Sequence, residues 1–238
     1  LGGSAREFRH GSFDMRGTVN PRGARLHPPY VGDFVGHRMR SDPATQTTTA
    51  LLTALADPSN EQAWHALLDR CEPILRGVAT RLGVPRPDVD DVVQATLSTF
   101  VDAWRRGQYD RSRGRLSSFL VTILRSRVLD LRRSRANRLA AAADDFPEEL
   151  VDAPGLERFW MDERRYQILL AAIVHLRADR VDARALEAFE LTALRGTPVP
   201  AVAEQLDMTV EQVHVARHRI SRRLRPIAAR IDESWEDL

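Results

Sequence analysis

Between Asp88 and Arg138 two apolar stripes at helical spacing flank a loop rich in glycine and arginine, and the second stripe carries more positive charge than an ordinary core helix holds. From Arg105 to Arg138 there are eleven arginines against two acids, Asp110 and Asp130. Phe119, Leu120, Ile123, Leu124, Val128 and Leu131 recur at helical spacing through that stretch. The spacing predicts a packed helix from near Leu116 with arginine on its outer face, not a disordered basic tail. Such a face needs a polyanion, so nucleic acid is the first candidate ligand.

The preceding stripe, Val89, Val92, Val93, Thr96, Leu97, Phe100 and Trp104, leaves Asp90, Asp91, Gln94, Ser98 and Asp102 outward on an acidic, polar face. That face is either simply solvated or docks on a basic partner. Asp88 is placed to cap this helix, with Asp90 and Asp91 in its first turn interacting favourably with the positive end of the helix dipole. In the connecting loop, Tyr109 among arginines either covers the helix ends or stacks on an unpaired base. Upstream, a short helix over 49–56 closes at Asp57-Pro58, and Ser59 or Asn60 can cap the next. That next helix carries Trp64, Leu67, Leu68 and Cys71, and Pro73 either kinks it or opens a new one. Ile74, Leu75, Val78 and Leu82 continue its stripe to Gly83.

Towards the C-terminus, Phe159, Trp160, Ile168, Leu169, Ala172, Ile173 and Leu176 form one apolar face, and Leu186, Phe189, Leu191 and Leu194 form the next. Gly196 ends a helix, Thr197 and Pro198 open a short one, and Asp207-Met208-Thr209 turn into the last. Thr209 and Gln212 have capping-box spacing, so the final helix starts at Val210. This is a helix-turn-helix. Val213, Ala216, Ile220 and Leu224 face inward. Glu211, Gln212, His214 and His218 are the base-contact candidates in the first turns, with Arg217, Arg219, Arg222 and Arg223 beside them for phosphate. His214 and His218 lie four apart but lack a third ligand, so no metal is expected.

The whole-chain totals hide this segregation. The formal charge is only +2, while the isoelectric point is about 9.2 because every base is arginine and lysine is absent. Residues 144–163 hold eight acids and one arginine, and composition changes abruptly at Asp144-Asp145-Phe146-Pro147-Glu148-Glu149, which marks an acidic linker. One cysteine excludes an internal disulfide and a cysteine-rich zinc site. There is no apolar run of membrane-spanning length and no signal-peptide core, so a cytoplasmic protein is expected. No Gly-rich phosphate loop or paired metal-ligand spacing points to an enzyme, and no cofactor is expected. Residues 1–46 are rich in Gly, Pro, Arg and Ser without a sustained period and read as disordered. Residue 1 is Leu, and native translation from Met15 or Met39 is the expectation.

The predicted fold is all-α: two small helical domains, 47–138 and 156–232, joined by a flexible acidic linker, 139–155, with a tail, 233–238. DVDDVVQATLSTFVDAW resembles the polymerase-clamp helix of a bacterial sigma factor of the extracytoplasmic-function group, and GRLSSFLVTILRSRVLDLRRSR resembles the helix that opens and reads the minus-ten element. The C-terminal block resembles the same family's minus-thirty-five domain. Together they cover roughly residues 48–231.

The resemblance implies that Asp90, Asp91, Gln94 and Ser98 face core RNA polymerase, and that Tyr109 captures a flipped non-template base beside Arg125 and Ser126. It implies phosphate contacts from Arg132, Arg133 and Arg135, and major-groove entry by Thr209, Glu211, Gln212, His214, Arg217, His218 and Arg222. Promoter DNA and core polymerase are the implied partners, and an anti-sigma protein is common in the family. Pro198 and Pro200 replace acids usual in the family, and Asp207 stands where it prefers Gly. A scarcity of aromatics on the promoter-opening helix implies weak melting. A dimeric helix-turn-helix regulator is the alternative that the C-terminal motif alone leaves open.

Overall fold

The computed structural model describes residues 48–57, 59–138, 153–179, 181–236 and 238. The reading of 1–46 and most of the linker lie outside them. Among the described residues the chain is all-α, and it falls into two compact units. One holds the described residues up to His175 together with Ile227–Leu238; the other is Leu176–Pro226.

In the first unit, α1 (Thr48–Ala54) leads into α2 (Glu61–Arg81). Asn60 caps α2, its Oδ1 accepting from the Ala63 amide at 3.0 Å. Pro73 sits inside α2 without ending it. Helix α3 (Arg86–Arg105) begins earlier than the Asp88 cap predicts. Pro85 is the N-cap and Pro87 lies in the first turn, where a missing amide hydrogen costs nothing. Asp88 is therefore inside the first turn and pairs with Arg135 instead of capping. Helix α4 (Leu116–Arg138) starts where the apolar spacing puts it.

Helices α2, α3 and α4 pack on one another around Leu67, Cys71, Ile74, Val78, Val89, Val93, Phe100, Leu116, Leu120 and Leu124, all buried. These are the stripe residues read from the sequence. Burying them supplies most of the stabilisation, at roughly 25 cal/mol per Å² of apolar surface.

Helix α5 (Ala153–Ala178) begins within the stretch assigned to the linker, and up to His175 it belongs to this unit. It approaches α2 closely at Gly77, where an added Cβ would lie 2.0 Å from the Glu163 side chain. The sequence reading placed the whole of this helix with the C-terminal block. Its apolar face, including Trp160 and Ile168, is buried in either grouping, and helical periodicity does not say against what.

The second unit contains α6 (Ala183–Phe189), one turn of π-helix (Glu190–Leu194), α7 (Val199–Gln205) and the start of α8 (Val210–Ser234). Gly196, at φ 66°, ends the π turn. Asp207, at φ 49°, makes the left-handed turn between α7 and α8 that Gly makes more easily. Arg184 holds the turn by donating to the carbonyls of Leu206 and Asp207.

Candidate nucleic-acid interface

On α3, Asp90, Asp91, Gln94 and Ser98 are all exposed, at positions that share one face. Arg76 of α2 pairs with Asp90, so part of that acidity is already compensated. On α4 the predicted nucleic-acid residues divide into two groups. Arg125, Ser126 and Arg133 are exposed. Arg132 turns back over α2 and donates to the Leu82 carbonyl at 3.1 Å, and burial pulls its pKa down. Arg135 is tied to Asp88. Those two guanidiniums brace α4 against its neighbours as placed, while Arg133 points to solvent, its nearest carboxylate being Asp130 at 3.7 Å.

Tyr109 is half-buried. Its ring stacks on Trp104, with centroids 5.4 Å apart and planes at 23°, and meets Phe119 at 5.4 Å and 49°. Its hydroxyl donates to the Gly114 carbonyl at 3.4 Å. Trp64 and Phe100 extend the cluster. Aromatic stacking thus fixes the loop that joins α3 to α4, and Asp110 tightens it by accepting from the Ser112 amide at 2.9 Å and hydroxyl at 2.7 Å. These two bonds also hold the Asp110 carboxyl below its usual pKa. Arg113 and Arg115 are exposed along the same loop.

The capping box at the head of α8 forms as the spacing requires. The Thr209 amide donates to Gln212 Oε1 at 2.8 Å, and the Gln212 amide donates to Thr209 Oγ1 at 3.1 Å. Both side chains are committed to starting the helix, which leaves Glu211, His214 and His218 as the exposed polar groups of its first turns. Val210, Glu211, His214, Val215, His218 and Arg219 line a shallow open groove. Val210 and Val215 are 46 % and 57 % exposed, an apolar element on this face that the sequence reading did not single out. Arg217 is half-buried and Arg222 exposed. Among the described residues no group of three His, Cys, Asp or Glu could hold a metal ion, and no helix is long and apolar enough to cross a membrane.

The block α2–α4, with arginine outward on α4 and acid outward on α3, coincides with a match to sigma-70 region 2 over residues 67–138. Over 184 residues the chain is 33 % identical to the RNA polymerase sigma factor NccH of Alcaligenes xylosoxydans xylosoxydans, covering 75 % of this chain and 93 % of that protein. The chain belongs to the extracytoplasmic-function sigma factors. It is also 30 % identical over 189 residues to the RNA polymerase sigma factor CnrH of Cupriavidus metallidurans, covering 78 % of this chain and 95 % of that one. No solved structure matches it to a significant degree.

A sigma factor binds core RNA polymerase and promoter DNA and directs transcription initiation; the family is not an enzyme class. The dimeric-regulator alternative accounts only for the helix-turn-helix, whereas the similarity to sigma factors runs through most of the chain.

Proposed function

We propose that this sigma factor divides its work between faces of separate helices. The exposed row Asp90, Asp91, Gln94 and Ser98 on α3 docks on the polymerase clamp. Arg125, Ser126 and Arg133 on α4 follow the opened non-template strand of the minus-ten element, with Arg132 and Arg135 bracing the helix. Tyr109 supplies the stacking surface for a flipped base, leaving its place beside Trp104 and Phe119 to do so. In the second unit Glu211, His214 and His218 read base edges of the minus-thirty-five element, while Arg217 and Arg222 hold phosphate and Thr209 and Gln212 set the helix start. The protein works in the cytoplasm without a cofactor, and an anti-sigma protein covering these faces would silence it.

The observation that carries this reading is the sorting of charge within one folded block. Acid lies outward on α3 and arginine outward on α4, in the segment that matches sigma-70 region 2. Cations beside an aromatic suit an unpaired strand, and a helix beginning at a sharp cap suits a groove.

Run-off transcription on a genomic promoter library, with bacterial core polymerase, tests it. Discrete starts are expected only when the protein is added. Tyr109→Ala is expected to lower open-complex yield about ten-fold, within the ~1–3 kcal/mol of one base stack. Starts that Tyr109→Ala leaves undiminished would remove the base-capture role.

A further inference from the structure

The first turns of α8 put an apolar side chain where solvent would select a polar one. Val215 is 57 % exposed and Val210 46 %, and with Glu211, His214 and His218 they line one open groove. At about 100° per residue, Val215 projects roughly 140–180° away from Val213, Ile220 and Leu224, which are buried on the same helix. It therefore lies on the outward face itself and not at the margin of the core. A valine there loses rotamer freedom against the preceding turn, so helix propensity does not account for it either.

The surroundings of Val215 select the kind of ligand. Residues 210–226 contain five arginines and one acid, Glu211. Arg219, Arg222 and Arg223 are exposed. A surface so basic attracts a polyanion. Two valines also fall well short of the few hundred Å² of contiguous apolar surface that mark a protein-docking patch. The one acid stands four residues before Val215, on the same face of the helix, with about 5–6 Å between Cβ atoms at that spacing. Neither a carboxylate nor an isopropyl group can hold phosphate, so this pair suits base edges and not the DNA backbone. Among the base edges of a major groove the apolar feature is the 5-methyl group of thymine.

We propose that Val215 is a specificity-determining residue that reads the 5-methyl group of a thymine in the upstream promoter element. The proposal rests on the reading of α8 as the helix that enters the major groove. Burying one methyl against the isopropyl group corresponds to about a four-fold preference for thymine over the same base without its methyl. Glu211 accepts a hydrogen bond from the amino group of a neighbouring cytosine or adenine, so methyl and amino readout sit one helical turn apart. The arginines around them supply attraction that is indifferent to sequence.

The test removes the methyl from the DNA and the isopropyl group from the protein separately. A promoter selected by the protein from the genomic library is made with deoxyuridine in place of each thymine of its upstream element in turn, on either strand. That exchange deletes the methyl and keeps the base pair. Run-off transcription with core polymerase, at protein concentrations below saturation, compares each uracil template with its thymine parent. The native protein should give about three- to five-fold less transcript from the uracil template at one position. Val215→Ala should equalise the two templates there. Val174→Ala, which trims a valine 49 % exposed on α5, should leave the native ratio unchanged. Each comparison is a ratio within one protein, so any loss of folded variant cancels.

The proposal is overturned by a native protein that responds to uracil at no position, by a ratio that Val215→Ala leaves unaltered, or by a ratio that Val174→Ala abolishes equally. A transcript yield that does not fall when the whole upstream element is scrambled overturns the reading of α8 beneath it instead.

Discussion

Glu163 sits against Gly77 in the α2–α5 contact with 8 % of its surface exposed, and burial raises its pKa. Gln167 donates to it at 2.9 Å, and Arg81 lies 3.8 Å away, too far for a strong pair. An acid whose folded pKa is raised favours folding when protonated. Its contribution is complete below the ordinary value of 4.5 and is lost as pH rises through the folded value. Glu163→Gln should therefore flatten the fall of the urea midpoint as pH rises above the ordinary value of 4.5 and leave the protein at least as stable at pH 7. Urea titrations at a series of pH values check this; a parallel pH dependence in the variant would contradict it. Nothing in the sequence marks Glu163, because its burial depends on a glycine 86 positions away.

At the scale of the element, α4 separates arginines that look equivalent in sequence. Arg132 and Arg133 are neighbours, yet helical geometry turns them about 100° apart. Arg132 reaches the Leu82 carbonyl, whereas the Arg133 side chain is 76 % exposed. Arg132→Ala should cost about 1.5–3 kcal/mol of stability by removing a charged hydrogen bond. Arg133→Ala should change stability by less than about 0.5 kcal/mol while reducing the salt slope of promoter-strand binding by roughly one. Urea unfolding and salt-dependent binding of the two variants separate the roles. The helix, its start and its basic outer face are legible in the sequence, because apolar period and charge are local. Which arginine turns inward is not, because that depends on where α2 ends. The capping box of Thr209 and Gln212 and the left-handed Asp207 were equally legible, each being set within four residues.

Across the whole molecule, α5 up to His175 and the chain end group with α1–α4, and Trp235 is buried in that unit. A fully buried tryptophan cut to alanine ordinarily costs about 3–5 kcal/mol. Trp235→Ala should cost an amount in that range, about 3–5 kcal/mol, because the ring is buried in that unit. Urea unfolding followed by circular dichroism measures this, and a loss below about 1 kcal/mol would contradict a core role for the ring. The sequence reading set 233–238 apart as a tail. Six residues with one tryptophan and several acids carry no period of their own, and only the tertiary structure shows that Ser234, Trp235 and Leu238 among them are buried, beside Arg70 and Arg164.

The sequence by itself determined the helices, their apolar faces, the helix-turn-helix and the sorting of arginine from acid that points to a sigma factor. Each of these is written in residues within a few turns of one another, where helical period, capping chemistry and charge act locally. The tertiary structure decided which arginines stay exposed and which turn inward, where Tyr109 rests, that Glu163 is buried, and that Trp235 is buried against α1, α2 and α5. Those outcomes depend on side chains brought together from up to 187 positions apart, as Thr49 and Glu236 are, and no local pattern encodes which distant surface a helix will meet.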